Sequence, residues 1–476
     1  AQKVENILDE DVVPVNTEVE IDPVETKAPE EVSVPEEYEE ETKAPIEEYD
    51  AGVNVIYLQL ESFFDITDLN DVTVNEDPIP NYHRLFDTCS SGFLSVPSVG
   101  AGTANTEFEI LTGMNLDFFG CGEYPYQTVL REQTCESLPY CYDSMGYTSH
   151  AIHNNSATFY NRNMVFSRLG FDTFTSMEYM YNLTYTPENW AKDKVLTANI
   201  IEAMESTDTS DFIYTISVQG HGDYPSEPIL DNPSITVSGS PTDELNCKWE
   251  YYVNQIHEMD QFVKELTDAL ADYPEDVILV MYGDHLPTMG LTVEDLKNKY
   301  LFQTEYVIWD NMGLTKKDEN LASYQIAAEV LDRVGIHEGT IMKYHQARRN
   351  TKNYQVDLET LQYDLLYGER YSYGGESPYL RTRMRMGIYD VTLDSIQCIS
   401  ETDHTYYIKG TEFTPSSEVK LNGEWYDTVY VNPTTLMITG TELNDFDRLA
   451  VIQRSNSSTR KPLSKSYDRS CYALYS

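Results

Sequence analysis

Runs of apolar residues, and the spacing between them, divide this chain into strands and helices. Val277 to Met281 are five apolar residues in succession, followed at once by Tyr282-Gly283-Asp284-His285. Such a run suits a strand covered on both faces, as in a parallel sheet flanked by helices. Asn54-Val-Ile-Tyr-Leu-Gln-Leu60 and Phe212-Ile-Tyr-Thr-Ile-Ser-Val218 read the same way, and Gly146–Ile152 is a shorter strand-like run. Between 244 and 271, Trp249, Tyr252, Val253, Ile256, Met259, Val263, Leu266 and Leu270 recur at helical spacing. That helix is expected to pack on the core, with His257 structural. Asn320–Val334 is a second amphipathic helix, ended by Gly335. Phe108, Leu111 and Met114 mark a third, which places Thr103 at its start as an N-cap. Strands alternating with helices predict an α/β class: a mainly parallel sheet sandwiched by helices, with ligands held beyond the carboxyl ends of the strands.

Polar residues follow those strands closely. Glu61 succeeds the first run, His153 the Gly146–Ile152 run, His221 the Phe212 run, and Asp284-His285 the Val277 run. Each alone has an ordinary structural reading, such as a turn-capping acid or an idle imidazole. Together they form a set that holds a divalent cation and an oxyanion. Thr103, at a helix N-terminus, sees amide N–H groups and the positive end of the helix dipole, which favour an alkoxide and a bound phosphate. Tyr160 and Arg162, in the polar segment after His153, fit oxyanion recognition. The chemistry expected of this set is phosphoryl or sulfuryl transfer through a covalent Thr103 intermediate.

Charge narrows the partners. The net charge is −48, with 80 acids against 32 bases. Nucleic acid needs a basic footprint and is excluded as a partner. No apolar run reaches the roughly 18–20 residues needed to span a bilayer. Residues 1–50 hold 18 acids, three lysines and no Arg, with Glu-Thr-Lys-Ala-Pro at 25–29 and again at 41–45. They are expected to be a disordered acidic stalk. Seven cysteines form no CxxC pair, and the four between 89 and 141 leave room for one or two disulfides.

Five segments, in this order, resemble the extracellular domain of lipoteichoic acid synthases, sulfatase-like members of the alkaline phosphatase superfamily. They are Leu58-Gln-Leu-Glu61-Ser-Phe, Gly102-Thr103-Ala-Asn-Thr-Glu-Phe, His153-Asn-Asn-Ser-Ala-Thr-Phe-Tyr-Asn-Arg162, Gln219-Gly-His221-Gly-Asp-Tyr-Pro and Met281-Tyr-Gly-Asp284-His285. The resemblance covers roughly residues 52–290, with Leu361–Arg370 and Met384–Ile388 similar to the tail of such domains. It implies one divalent cation, usually manganese with magnesium or zinc as alternatives, on Glu61, Thr103, Asp284 and His285. It makes Thr103 the nucleophile, has His153 and His221 bind phosphate and move protons, and places Tyr160 and Arg162 on the substrate. Tyr160 stands where the family often has Trp. The implied reaction moves glycerol phosphate from phosphatidylglycerol to a polyglycerol-phosphate chain, outside a Gram-positive-type cell, on an N-terminal membrane domain absent from this chain. A phosphodiesterase, a phosphoethanolamine transferase and a catalytically silent surface binding protein are the alternatives. The Cys/Ser-x-Pro-x-Arg motif of sulfatases proper is missing at the nucleophile.

The expected domains are the stalk at 1–50, the catalytic domain at 51–390 and a small Ig-like β-sandwich at 391–476. Short alternating strands with Gly, Asn and Pro turns predict the last. It reads either as a packing module on the enzyme's flank or as a binder of a cell-wall partner.

Overall fold

The computed structural model describes residues 52–120 and 122–475. The acidic segment predicted to be a stalk lies outside the described residues. The main sheet has nine strands: β1 (Asn54–Leu60), β2 (Ser90–Ser95), β3 (Thr148–His153), β4 (Thr173–Ser176), β5 (Asp211–Ile216), β6 (Val277–Gly283), β7 (Gln303–Asp310), β8 (Leu321–Ala322) and β9 (Arg385–Met386). Their order is β8-β2-β7-β6-β1-β5-β3-β4-β9. Within this sheet only β7 runs against the rest, pairing antiparallel with both β2 and β6.

Period-two alternation explains why the central strands are apolar throughout. Val55 and Tyr57 of β1 join one buried cluster with Ile278, Val280 and Tyr282 of β6. Ile56, Leu58 and Leu60 point the other way, into a second cluster with Val277, Leu279 and Met281. Helix α1 (Thr103–Thr112) packs Phe108, Ile110 and Leu111 into the first cluster. The long helix α3 (Asp243–Ala271) covers the second with Trp249, Ile256, Met259 and Val263, after α2 (Arg162–Arg168) has followed β3. The structure bears out the mainly parallel, helix-covered sheet and the packing role of α3, whose His257 meets only the Pro78 carbonyl (2.8 Å) and Gln261 (3.0 Å). The Asn320–Val334 helix is shorter than expected, Ser323–Arg333. Cys89, Cys135, Cys141, Cys247, Cys398 and Cys471 are free, so no disulfide joins any two of them.

Beyond β9 the chain forms two antiparallel sheets. One contains Thr405–Lys409 and Thr435–Ile438, the other Ser417–Leu421 and Arg448–Arg454. Ile408 and Leu436 of the first share a core with Val419 and Val451 of the second, so the sheets face each other as a sandwich. No helix among the described residues is long and apolar enough to cross a membrane.

Candidate active site

The carboxyl ends of β1 and β6 are adjacent, with Leu60 opposite Gly283. Register therefore brings Glu61 beside Asp284 and His285. Two close approaches need glycine. A Cβ on Gly283 would lie 2.2 Å from the Phe63 carbonyl oxygen, and one on Gly220 would lie 2.2 Å from that of Glu61. Gly283 is the last residue of β6, and its need is for space.

Thr103 is buried and opens α1 as its first helical residue. The expected N-cap role falls instead to Gly102, whose φ of 101° is left-handed. The Thr103 hydroxyl is thereby released from capping and donates to Glu61 Oε2 at 3.0 Å. Thr106 Oγ1, in the same helical turn, donates to the Asp284 carbonyl at 2.8 Å and fixes the helix start on the end of β6. Gln59 Nε2 donates to the Thr103 carbonyl at 3.3 Å, while Gln59 Oε1 accepts from Tyr214 and Tyr282 hydroxyls.

Glu61, Asp284 and His285 present ligand atoms within 4.8 Å of one another, all from buried residues. Asp284 Oδ1 is satisfied by the amides of Ser62 and His285, both at 2.8 Å. Asp284 Oδ2 and His285 Nε2 are buried and have no hydrogen-bond partner. His285 Nδ1 faces the Leu286 carbonyl at 3.0 Å, so Nδ1 carries the proton and Nε2 is left toward the carboxylates. Burial and the neighbouring Glu61 charge raise Asp284. Burial opposes charging of His285, but the Asp284 and Glu61 carboxylates outweigh it and raise His285. Orphaned buried lone pairs and crowded negative charge are what a divalent cation relieves. Two carboxylates, an imidazole and the Thr103 hydroxyl fit such an ion.

His153 ends β3, and its Nδ1 donates to the Ile216 carbonyl at 2.9 Å. Burial first, and then the Arg162 charge, hold His153 well below the usual histidine range, so the ring is neutral. His221 packs against Trp190, ring centroids 4.2 Å apart, with its Nδ1 buried and unpartnered. Asp193 ties the two loops together. Its Oδ1 accepts from Asn154 beside His153 (2.8 Å) and from the amides of Val218 (3.0 Å) and Gln219 (3.2 Å), just before His221.

Arg162 is buried, and its Nε and Nη2 are taken by both oxygens of Glu107, one turn after Thr103 on α1. Nη1 reaches only the Phe159 carbonyl, at 3.5 Å. The guanidinium lies 5.2 Å from the Tyr160 ring centre, and Tyr160 stacks on Tyr124 at 6.0 Å. Tyr160 and Asn161 both hold left-handed backbone, φ 52° and 59°, a strained turn of the kind that clusters at functional sites. The sequence reading missed Glu107, Gln59 and Asp193. Glu107 had a usable signal: it lies four residues after Thr103, on the same helical face.

A family model described as Sulfatase matches residues 53–336. The chain belongs to this family, and its fold is that of the alkaline phosphatase superfamily. Over 361 residues it is 30% identical to a Rhizobium meliloti (strain 1021) protein named for cyclic beta-1,2-glucan modification, covering 67% of this chain and 55% of the relative. It is 25% identical over 242 residues to a lipoteichoic acid synthase of Staphylococcus saprophyticus, covering 49% of this chain and 35% of that protein. Among solved structures, the phosphoglycerol transferase GacH of Streptococcus pyogenes, in complex with sn-glycerol-1-phosphate, shares the fold. Its TM-score is 0.62 at 24% identity, over 70% of this chain and 92% of that one. The chain spans 35% to 55% of the length of these two curated relatives.

Proposed function

We propose that this protein is a metal-dependent phosphotransferase that takes glycerol phosphate from phosphatidylglycerol onto Thr103 and passes it to an acceptor hydroxyl. The observation that carries the reading is the Thr103 hydroxyl on Glu61 Oε2, beside the unsatisfied Asp284 Oδ2 and His285 Nε2. Glu61, Thr103, Asp284 and His285 would hold the cation, with manganese proposed and magnesium or zinc as alternatives. Bound there, it would lower the pKa of the Thr103 hydroxyl and offset charge on the phosphoryl oxygens.

The remaining chemistry belongs to side chains. The Thr103 proton leaves along its existing bond to Glu61. The Thr103 Oγ1–phosphorus bond forms as the bond to the diacylglycerol oxygen breaks, and that oxygen takes a proton from His221. In the second half the acceptor oxygen bonds to phosphorus as the Thr103 Oγ1–phosphorus bond breaks. The acceptor proton goes to His221, directly or by way of His153, restoring the one it gave up, and Thr103 Oγ1 takes its proton back from Glu61. Neutral His153, whose Nδ1–H is fixed on Ile216, keeps Nε2 for this transfer. Arg162 acts mainly through Glu107, setting the start of α1, with Nη1 the part left for substrate.

The resemblance supports a polyglycerol-phosphate acceptor at the outer face of a membrane, as in lipoteichoic acid synthesis. A second reading replaces that acceptor with a surface saccharide. It is favoured by the match to the glucan-modifying relative, which at 361 residues is longer than the segment 53–336. The test common to both readings is release of diacylglycerol from phosphatidylglycerol. It should require divalent metal and be lost in Thr103→Ala; metal-independent release, or release by that variant, would refute the mechanism.

A further inference from the structure

A cleft of about 880 Å³ separates the segment after β4 from the C-terminal sandwich. Its size is that of a small-molecule or oligosaccharide site, roughly 300–1,000 Å³. Tyr181 and Tyr185 stand on one wall and Tyr430 on the other, with Ser455, Asn456 and Ser457 along the rim. Tyrosine faces and hydroxyl or amide groups are the equipment for a ligand with apolar ring faces and many hydroxyls. The lining contains no carboxylate, and its two arginines, Arg454 and Arg460, are both paired with Glu418. The cleft therefore offers no unpaired charge, in a chain of net charge −48. A polyanion would find no free cations there; a neutral polyhydroxyl ligand needs none.

The cleft is built into the catalytic region. Glu178, buried just after β4, accepts from Ser156 Oγ at 2.9 Å and the Ala157 amide at 3.1 Å, in the segment between His153 and Tyr160. The same carboxylate accepts from the Asn456 amide at 2.7 Å, and the Glu178 carbonyl accepts from Thr414 Oγ1 at 2.7 Å. Tyr185 pairs with Ala191 across a short hairpin, and the adjacent Trp190 packs on His221. A ligand against Tyr185 is thus one hairpin away from the proposed phosphate site.

We infer that this cleft binds a neutral saccharide, the acceptor of the transfer. The inference rests on the saccharide reading of the acceptor, and its test does not depend on turnover. Cyclic β-1,2-glucan and cellohexaose would each be titrated calorimetrically into wild-type protein without lipid donor. At least one should bind. The double variant Tyr185→Ala/Tyr430→Ala should weaken it at least tenfold, Tyr185→Trp should retain it, and donor cleavage in water should be unchanged in both variants. Binding of neither glycan would overturn the inference, as would equal binding by the double variant. Cleft-dependent binding without any diacylglycerol release would sink the transferase reading and leave the cleft standing.

Discussion

Replacing Glu61 by Gln separates a metal-holding role from a structural one, because the two make opposite forecasts for the metal-free protein. Glu61 and Asp284 place carboxylate oxygens within 4.8 Å, both buried. At an effective permittivity near 20, two unit charges at that distance repel by about 3.5 kcal/mol. The charge that these carboxylates favour on His285, against its burial, offsets part of this. Thr103 and Ser62 donate to different oxygens of the carboxylate, at 3.0 Å each. The single glutamine oxygen keeps one of these bonds, and the other hydroxyl can turn to accept from the glutamine amide. Metal-free Glu61→Gln should therefore be at least as stable as wild type, by up to about 3 kcal/mol. Wild type with manganese at 100-fold over its dissociation constant should gain about 2.7 kcal/mol. For the compact unit 47–476 that is a rise in Tm of about 3 °C. The variant should lose most of that rise. Differential scanning calorimetry with and without manganese, after chelation, measures both quantities. A variant destabilised without metal, yet stabilised by manganese as wild type is, would refute the reasoning.

Three further outcomes follow from buried groups. Glu109 is raised to about 8 by burial, against hydrogen bonds from Leu116 and Ser323. Its folded pKa exceeds its unfolded value, so its contribution to stability is fully present below about 4.5 and is lost as pH rises to about 8. Urea unfolding at pH 5 and pH 8.5 should show a loss of a few kcal/mol that Glu109→Gln largely removes. Glu107→Ala leaves Arg162 buried without its carboxylate and should cost about 3–5 kcal/mol in the same assay, with diacylglycerol release falling as α1 loses its anchor. Gly283→Ala drives a methyl against the Phe63 carbonyl; it should destabilise by about 1–3 kcal/mol or more, visible as a lower Tm.

The parts of the fold legible in the sequence were those where one residue type settles the environment. Five consecutive apolar residues before Asp284 leave little but a strand covered on both faces, and the polar break fixes where it ends. Glu61, His153 and His221 were found by the same rule, since each follows such a run. Thr103 was placed within one position, because Gly102 and a threonine both make acceptable caps and only the backbone decides between them. Glu107 carried one signal, its spacing from Thr103, but was passed over because a glutamate on a helix ordinarily faces water. Here it is buried only because Arg162, 55 residues later, meets it. Gln59 read as one polar interruption in a strand, and its partners Tyr214 and Tyr282 come from the two strands flanking β1. Glu178 could not be read at all, since its meaning comes from Asn456, 278 residues away. Local pattern exposes the ends of strands; bonds between distant buried polar groups appear only when the chain is folded.

The central claim is that Thr103 accepts the phosphoryl group. Intact mass after incubation with manganese and phosphatidylglycerol tests it most directly, with wild type beside Thr103→Ala. The expected result is a glycerol-phosphate adduct on wild type alone, mapped to the peptide containing Thr103. An adduct of equal yield on the variant, or diacylglycerol release by wild type with no phosphorylated Thr103 trapped at any time, would contradict it.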